Sequence, residues 1–235
     1  MHTSLTPTPP PTGTATDPTR ATAEEEELED QKAAITHLGH ELRALVEATV
    51  RTAASPDTLH RVADGVRAIT SQLTGRQRSR AEIPEVDEFP TGTRIYSPVT
   101  GAGSPLAPPV QVTPTADGLM GHCTLGIAHE GPPGYGHGGM SAMLLDELMG
   151  RACAAAGTPG LTVSLQMRYH RPVPLETPLR ILARVTGTDD RKIFVSGSIT
   201  TQPDPDANLV TADGVFIAPD PHRTRTLFPG LQAER

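Results

Sequence analysis

Apolar residues recur at three- and four-residue spacing in two segments near the start of the chain, and at two-residue spacing in several short segments later on. Ile35, Leu38, Leu42, Leu45 and Val46 form one stripe, which predicts a helix over 24–51. Glu24–Glu27 would suit its first turn, or form a solvated acidic run. Leu59, Val62, Val66, Ile69 and Leu73 form a second stripe. Its helix is opened by Ser55 as N-cap with Pro56 in the first turn, and ended by Gly75. Joined by a short turn, the two helices are expected to pack as a hairpin on the main domain. Residues 1–22 are Pro, Thr, Gly and Ala with little to bury, which predicts a disordered tail.

After a solvated linker at Arg76–Arg80, residues 81–109 are rich in proline and glycine and read as a loop. The pattern then becomes strand-like over Val110–Thr115 and His122–His129. A long apolar helix is expected over 138–156, followed by strands at Leu161–His170, Leu179–Thr188, Lys192–Thr201 and Leu209–Ala218. In the third strand, alternation puts Val163, Leu165, Met167 and Tyr169 on one face and Thr162, Ser164, Gln166 and Arg168 on the other. A helix apolar on most sides needs burial on most sides, and a single antiparallel sheet curled around it supplies this. The expected class is α+β over 110–220, with a helical extension at 23–80 and a C-terminal tail at 221–235.

Composition narrows the partners. With a formal net charge of −7, the 235 residues argue against general nucleic-acid binding and against attraction to anionic membranes. Only two cysteines, Cys123 and Cys153, suit a reducing compartment better than a disulfide-stapled domain. No apolar run reaches membrane-spanning length, and Met1–Thr22 lacks the apolar centre of a signal peptide. A cytoplasmic protein without membrane insertion is the expectation.

The candidate chemistry sits at Gly136-His137-Gly138-Gly139, a turn running directly into the apolar helix. Glycines there let a substrate oxygen approach the backbone, where the helix start presents unpaired N–H groups and the positive end of its dipole. Asp146 follows nine residues after His137, between Leu145 and Glu147. At ~1.5 Å per residue it lies ~13 Å along the helix, rotated by roughly half a turn. A single chain does not easily bring this carboxylate to its own glycine turn, so a site using both calls for two chains. Glu147 points about 100° away and reads as structural. His122, His129, His137 and His170 fit no standard zinc spacing, so no metal is expected.

The set His137-Gly138-Gly139, Asp146, Thr162 sixteen residues further on, and Tyr169-His170-Arg171-Pro172-Val173-Pro174 resembles the PaaI-like branch of the hotdog-fold thioesterases. It is most similar to the branch that includes the mitochondrial long-chain acyl-CoA thioesterases. The resemblance implies a hotdog fold, a sheet wrapped around a central helix, and hydrolysis of an acyl-CoA to a free acid and CoA-SH without a cofactor. It further implies an oxyanion hole from the backbone of Gly138 and Gly139, and Asp146 of a partner subunit as base or nucleophile. Thr162 would orient the water or the carboxylate, and His137 would support the turn. A homodimer or dimer of dimers follows. Arg168, Arg171 and Lys192 are candidate contacts for the phosphates of coenzyme A. An acyl pocket beside Met143, Leu144 and Met167 would favour a medium or long chain. Rival readings are a non-catalytic acyl-CoA-binding module, a hotdog hydratase or dehydratase, and a structural protein that lost its chemistry.

Overall fold

A computed structural model describes residues 18–80, 82–88, 92 and 94–218. Helix α1 spans Pro18–Arg51 and α2 spans Pro56–Gln72. Strands β1 (Gln111–Thr115) and β2 (Gly118–Thr124) precede a 3-10 turn at Ile127–His129 and the long helix α3 (Gly138–Ala155). Strands β3 (Leu161–Tyr169), β4 (Pro178–Asp189), β5 (Lys192–Thr201) and β6 (Val210–Ile217) follow. The six strands form one antiparallel sheet in the order β1-β2-β4-β5-β6-β3. This is the hotdog fold.

The sheet wraps α3 because α3 has little else to do with its side chains. Leu144, Leu145, Leu148, Met149 and Cys153 are fully buried. They meet Ile181 of β4, Val195 and Ile199 of β5, and Val210 and Phe216 of β6 in one core. Each such aliphatic or aromatic side chain contributes roughly 1.5–3 kcal/mol relative to exposure.

Four expectations change in the structure. The first concerns the tail at 1–22: α1 already begins at Pro18, and residues 1–17 lie outside the described residues, as does the tail at 221–235. The second is β2, which occupies 118–124 rather than 122–129. Ala116-Asp117 form the two-residue turn of a tight hairpin that pairs Thr115 with Gly118 and Gln111 with His122, and the chain leaves the sheet before Gly126. The third is the helical hairpin. Helix α1 docks on the domain, but α2 buries none of its residues, although Ser55 caps it as expected.

The fourth is the facing of β3. Its pairing with β6 runs Thr162↔Phe216 and then Ser164↔Val215, so one extra residue, Val163, is accommodated on the β3 side. The bulge reverses the alternation at that point. Thr162 therefore shares the inner face with Leu165, Met167 and Tyr169, whose partners Gly214, Ala212 and Val210 alternate with outward residues on β6.

Candidate active site

His137 caps α3 from an extended backbone (φ −62°, ψ 135°), and its Nδ1 accepts the Gly139 N–H at 3.0 Å. The ring nitrogen thus does what a Ser or Asp oxygen does at most helix starts. The Met140 N–H reaches the His137 carbonyl at 2.9 Å, and the His137 N–H reaches the carbonyl of His129 at 2.9 Å. On the other side, the Gly136 N–H donates to Val173 O at 2.8 Å. Among the described residues, no acceptor meets the N–H of Gly138. The two glycines are therefore not equivalent: Gly139 is occupied by the cap, and Gly138 carries the open donor at the positive end of the helix.

Tyr169, at the end of β3, donates its hydroxyl to Gly138 O at 3.1 Å. This fixes the peptide between the two glycines and hence the direction of the first turn. Its role was not read from the sequence, although it opens the Tyr-His-Arg-Pro motif. The signal was a tyrosine whose strand face looked merely apolar.

At the start of β3, Thr162 donates its hydroxyl to Asp146 Oδ1 at 2.7 Å. The bulge at Val163 makes this contact possible, because plain alternation would turn Thr162 to the outer face. Asp146 is half-buried on α3, and Thr162 is exposed on an edge strand. The structure brings together Asp146 with Thr162, and His137 with Gly138, Gly139 and Tyr169. Within one chain the two groups are eight helical residues apart, about 12 Å by helix rise.

The neighbouring carboxylates have different work. Glu147 accepts from Thr100 Oγ1 at 3.2 Å and from Ser97 Oγ at 3.5 Å, pinning the loop before β1 onto α3. Glu47, on α1, accepts the N–H groups of Ile127 at 3.1 Å and Ala128 at 3.2 Å, and so caps the 3-10 turn. Burial alone would raise its pKa. Hydrogen bonds from Arg51 and from the Ala128 and Ile127 amides outweigh this and hold it below the usual carboxylate range. Arg51 also pairs with Glu176. The capped turn ends at His129, whose carbonyl holds the His137 N–H, so α1 is two hydrogen-bonded steps from the glycine turn.

The cationic candidates lie apart from these groups. Arg168 faces a shallow groove on the outer face of the sheet with Arg184 and Ser196, 3.9 Å from Asp213. Arg171 is 3.9 Å from Asp204 and exposed, and Lys192 stands exposed at the start of β5. Met143 lines a cavity of about 730 Å³ between α1, the proline-rich loop and the start of α3. Leu144 is instead sealed in the core and Met167 packs against that core, so neither lines the cavity.

His170 bonds Thr211 across the β3–β6 pair at 2.9 Å, and no group of three or more potential metal ligands occurs among the described residues. Burial pushes the Cys123 thiol up to about 12 and that of Cys153 up to about 11, which keeps both protonated and unreactive near neutral pH. No helix among the described residues is long and apolar enough to cross a membrane.

A single antiparallel sheet wrapped around a long central helix defines the hotdog class of protein. Comparison makes the family specific. A crystal structure of a thioesterase superfamily protein is 35% identical and superposes with a TM-score of 0.69 over 78% of this chain and 90% of its own. Residues 133–207 match the thioesterase superfamily family model. The chain belongs to the thioesterase superfamily.

Among curated relatives, acyl-coenzyme A thioesterase THEM4 of Mus musculus is 32% identical over 102 residues, 43% of each chain. Acyl-coenzyme A thioesterase THEM5 of Homo sapiens is 30% identical over 88 residues, 37% of this chain and 35% of its own. The match spans less than half the length of these curated relatives.

Proposed function

We propose that the chain hydrolyses an acyl-CoA thioester to a free acid and CoA-SH, as a dimer in which each site is shared. The carrying observation is the pairing of two half-sites at opposite ends of β3: the open Gly138 N–H beside Tyr169, and the Asp146 carboxylate held by Thr162. The thioester oxygen would accept the Gly138 N–H at the helix start, where a preorganised donor commonly supplies a few kcal/mol of transition-state stabilisation. Capture of the Gly139 N–H by His137 supports the reading of His137 as turn support; Gly139 then contributes by letting the substrate approach. Asp146 either takes a proton from the attacking water or attacks the carbonyl itself, giving a mixed anhydride that water then hydrolyses to the free acid and the carboxylate. Thr162 holds the carboxylate without giving up its proton. Collapse of the tetrahedral adduct breaks the C–S bond and expels the CoA thiolate, which takes up a proton from water, passed on by Asp146 in the base route and from solvent in the other, to leave as CoA-SH. No metal or redox cofactor enters this reading.

The shared site rests on which sheet edge is open. Strand β1, at one edge, carries Pro114 and is blunted against pairing. Strand β3, at the other, has no proline and exposes Leu161 and Val163. Pairing of two β3 edges would set the Asp146–Thr162 group of one copy against the glycine turn of the other. A dimer of dimers would use the outer sheet face. Arg171 and Lys192, with Arg168 from the outer face, supply cations for the phosphates of CoA.

The test is thiol release from an acyl-CoA panel. Asp146→Asn is expected to lower kcat by about 10³-fold or more while substrate still binds, and Thr162→Ala by about tenfold. Full turnover in Asp146→Asn would sink the assignment. Tight binding with no hydrolysis by the wild type would instead favour a non-catalytic acyl-CoA-binding module.

A further inference from the structure

We infer that α1 and the proline-rich loop build the acyl chamber, so that the N-terminal helix sets the chain-length preference of the site; this rests on the thioester reading above. The cavity of about 730 Å³ falls within the range of small-molecule sites. Its wall includes Ala44 and Val46 of α1, Leu106 and Ala107 of the loop, and Met140 and Met143 of α3. The two methionines stand three and six residues after His137, in the first two turns of the helix that begins at the glycines. Met140 lies two residues past Gly138, and His129, whose carbonyl accepts the His137 N–H, also lines the cavity, so its wall borders the glycine turn.

The ligand class follows from which polar groups are already engaged. Arg43 donates to the carbonyls of Ala102 and Ser104, both at 2.7 Å. Glu47 is taken by two backbone amides and Arg51, and Glu176 by Arg51. None of these charges is left to hold an ionic ligand. The remaining wall is mostly alanine, valine, proline, leucine and methionine, which suits an unbranched hydrocarbon chain. A second observation concerns His129, which also lines the cavity. Its Nδ1 is the one buried side-chain nitrogen or oxygen without a partner among the described residues. A hydrocarbon chain offers it no partner, so this nitrogen marks the end of the chamber nearest the glycine turn, where a polar atom of the ligand and not its chain would sit.

The experiment fills the chamber from α1. Ala44→Phe puts a ring into the cavity, while Ala48→Phe, one turn on and outside the lining, serves as control. Thiol release is measured with butanoyl-, octanoyl- and palmitoyl-CoA, and direct binding with a fluorescent long-chain fatty acid. Ala44→Phe is expected to lower the palmitoyl-to-butanoyl ratio of kcat/KM about tenfold and to weaken fatty-acid binding, with Ala48→Phe leaving both unchanged. Leu106→Arg, on an exposed stretch of the loop, is expected to act in the same direction and covers the case of a poorly folded Ala44→Phe. An unchanged ratio in both Ala44→Phe and Leu106→Arg would overturn the chamber. If the wild type hydrolyses none of the thioesters, the thioesterase reading fails. Fatty-acid binding then decides the chamber alone: binding lost in both variants upholds it, and binding kept overturns it.

Discussion

Helices α1 and α2 are neighbours in sequence and opposites in the fold. Helix α2 has the cleaner amphipathic pattern, yet Leu59, Val62, Val66, Ile69 and Leu73 are all exposed. Helix α1 has a poorer pattern, and its Leu38 and Val46 are also exposed, yet it is firmly seated. Its docking residues are Gly39, buried against the loop at Ala102, and the charged Arg43 and Glu47 that hold backbone groups of the domain. A stripe of leucine and valine therefore predicts that a helix forms. Where it docks is set by a missing Cβ and by hydrogen bonds to peptide groups of the domain, together with the half-buried Ile35, Leu42 and Leu45.

The same substitution on the two helices breaks this comparison most sharply. At Gly39 an added Cβ would lie 2.5 Å from the backbone oxygen of Ala102, so Gly39→Ala is expected to cost about 1–3 kcal/mol in urea unfolding of α1 from the domain. Next in size is Glu47→Gln, which keeps one acceptor but loses the charge and the second amide contact, at about 1–2 kcal/mol. The wild type carries a pH signature here. Because the folded pKa of Glu47 is depressed, its contribution is present above the ordinary carboxylate value of about 4 and is lost as pH falls through the lower folded value. Protease cleavage within α1 should rise at acid pH in the wild type, while Glu47→Gln should lack that step.

Gly65→Ala on α2 meets no atom within 4 Å and should raise helix stability by up to about 1 kcal/mol, seen as slower amide exchange in α2 alone. The smallest effect is expected for Val66→Ser, within about 0.5 kcal/mol in dilute solution. A large, concentration-dependent loss of stability in Val66→Ser would show that a second molecule covers this stripe.

Much of the fold was legible because the signals were local and repeated. Strand spacing, the apolar helix after the glycines, and the Ser55 cap each follow from a few adjacent residues. Asp146 stood out because a carboxylate on a helix rich in Leu and Met needs a partner. That partner was harder to read. Thr162 faces α3 only because Val163 is accommodated as an extra residue, and a bulge leaves no mark in an alternating sequence as regular as Thr162–Tyr169. The β2 boundary differs for a related reason: the apolar residues 125 and 127 suggest a strand, but the turn at Ala116-Asp117 starts β2 at Gly118 and the chain has left the sheet after Thr124 for the 3-10 turn. The cap by His137 and the tie by Tyr169 depend on side-chain direction in three dimensions, which periodicity does not encode.

Strand β3 touches α3 at both ends, Thr162 on Asp146 and Tyr169 on Gly138. It serves as a splint fixed to a bone at two points, and its length is thereby set. Deleting one residue between the two anchors would turn at least one of them to the opposite face. Point changes at the outward positions Gln166 and Arg168 leave both anchors in place. The outward positions Ser164 and Gln166 should therefore vary more freely than the residue count of this strand, bulge included, and a neighbour that pairs with its edge would stiffen both halves of the site at once.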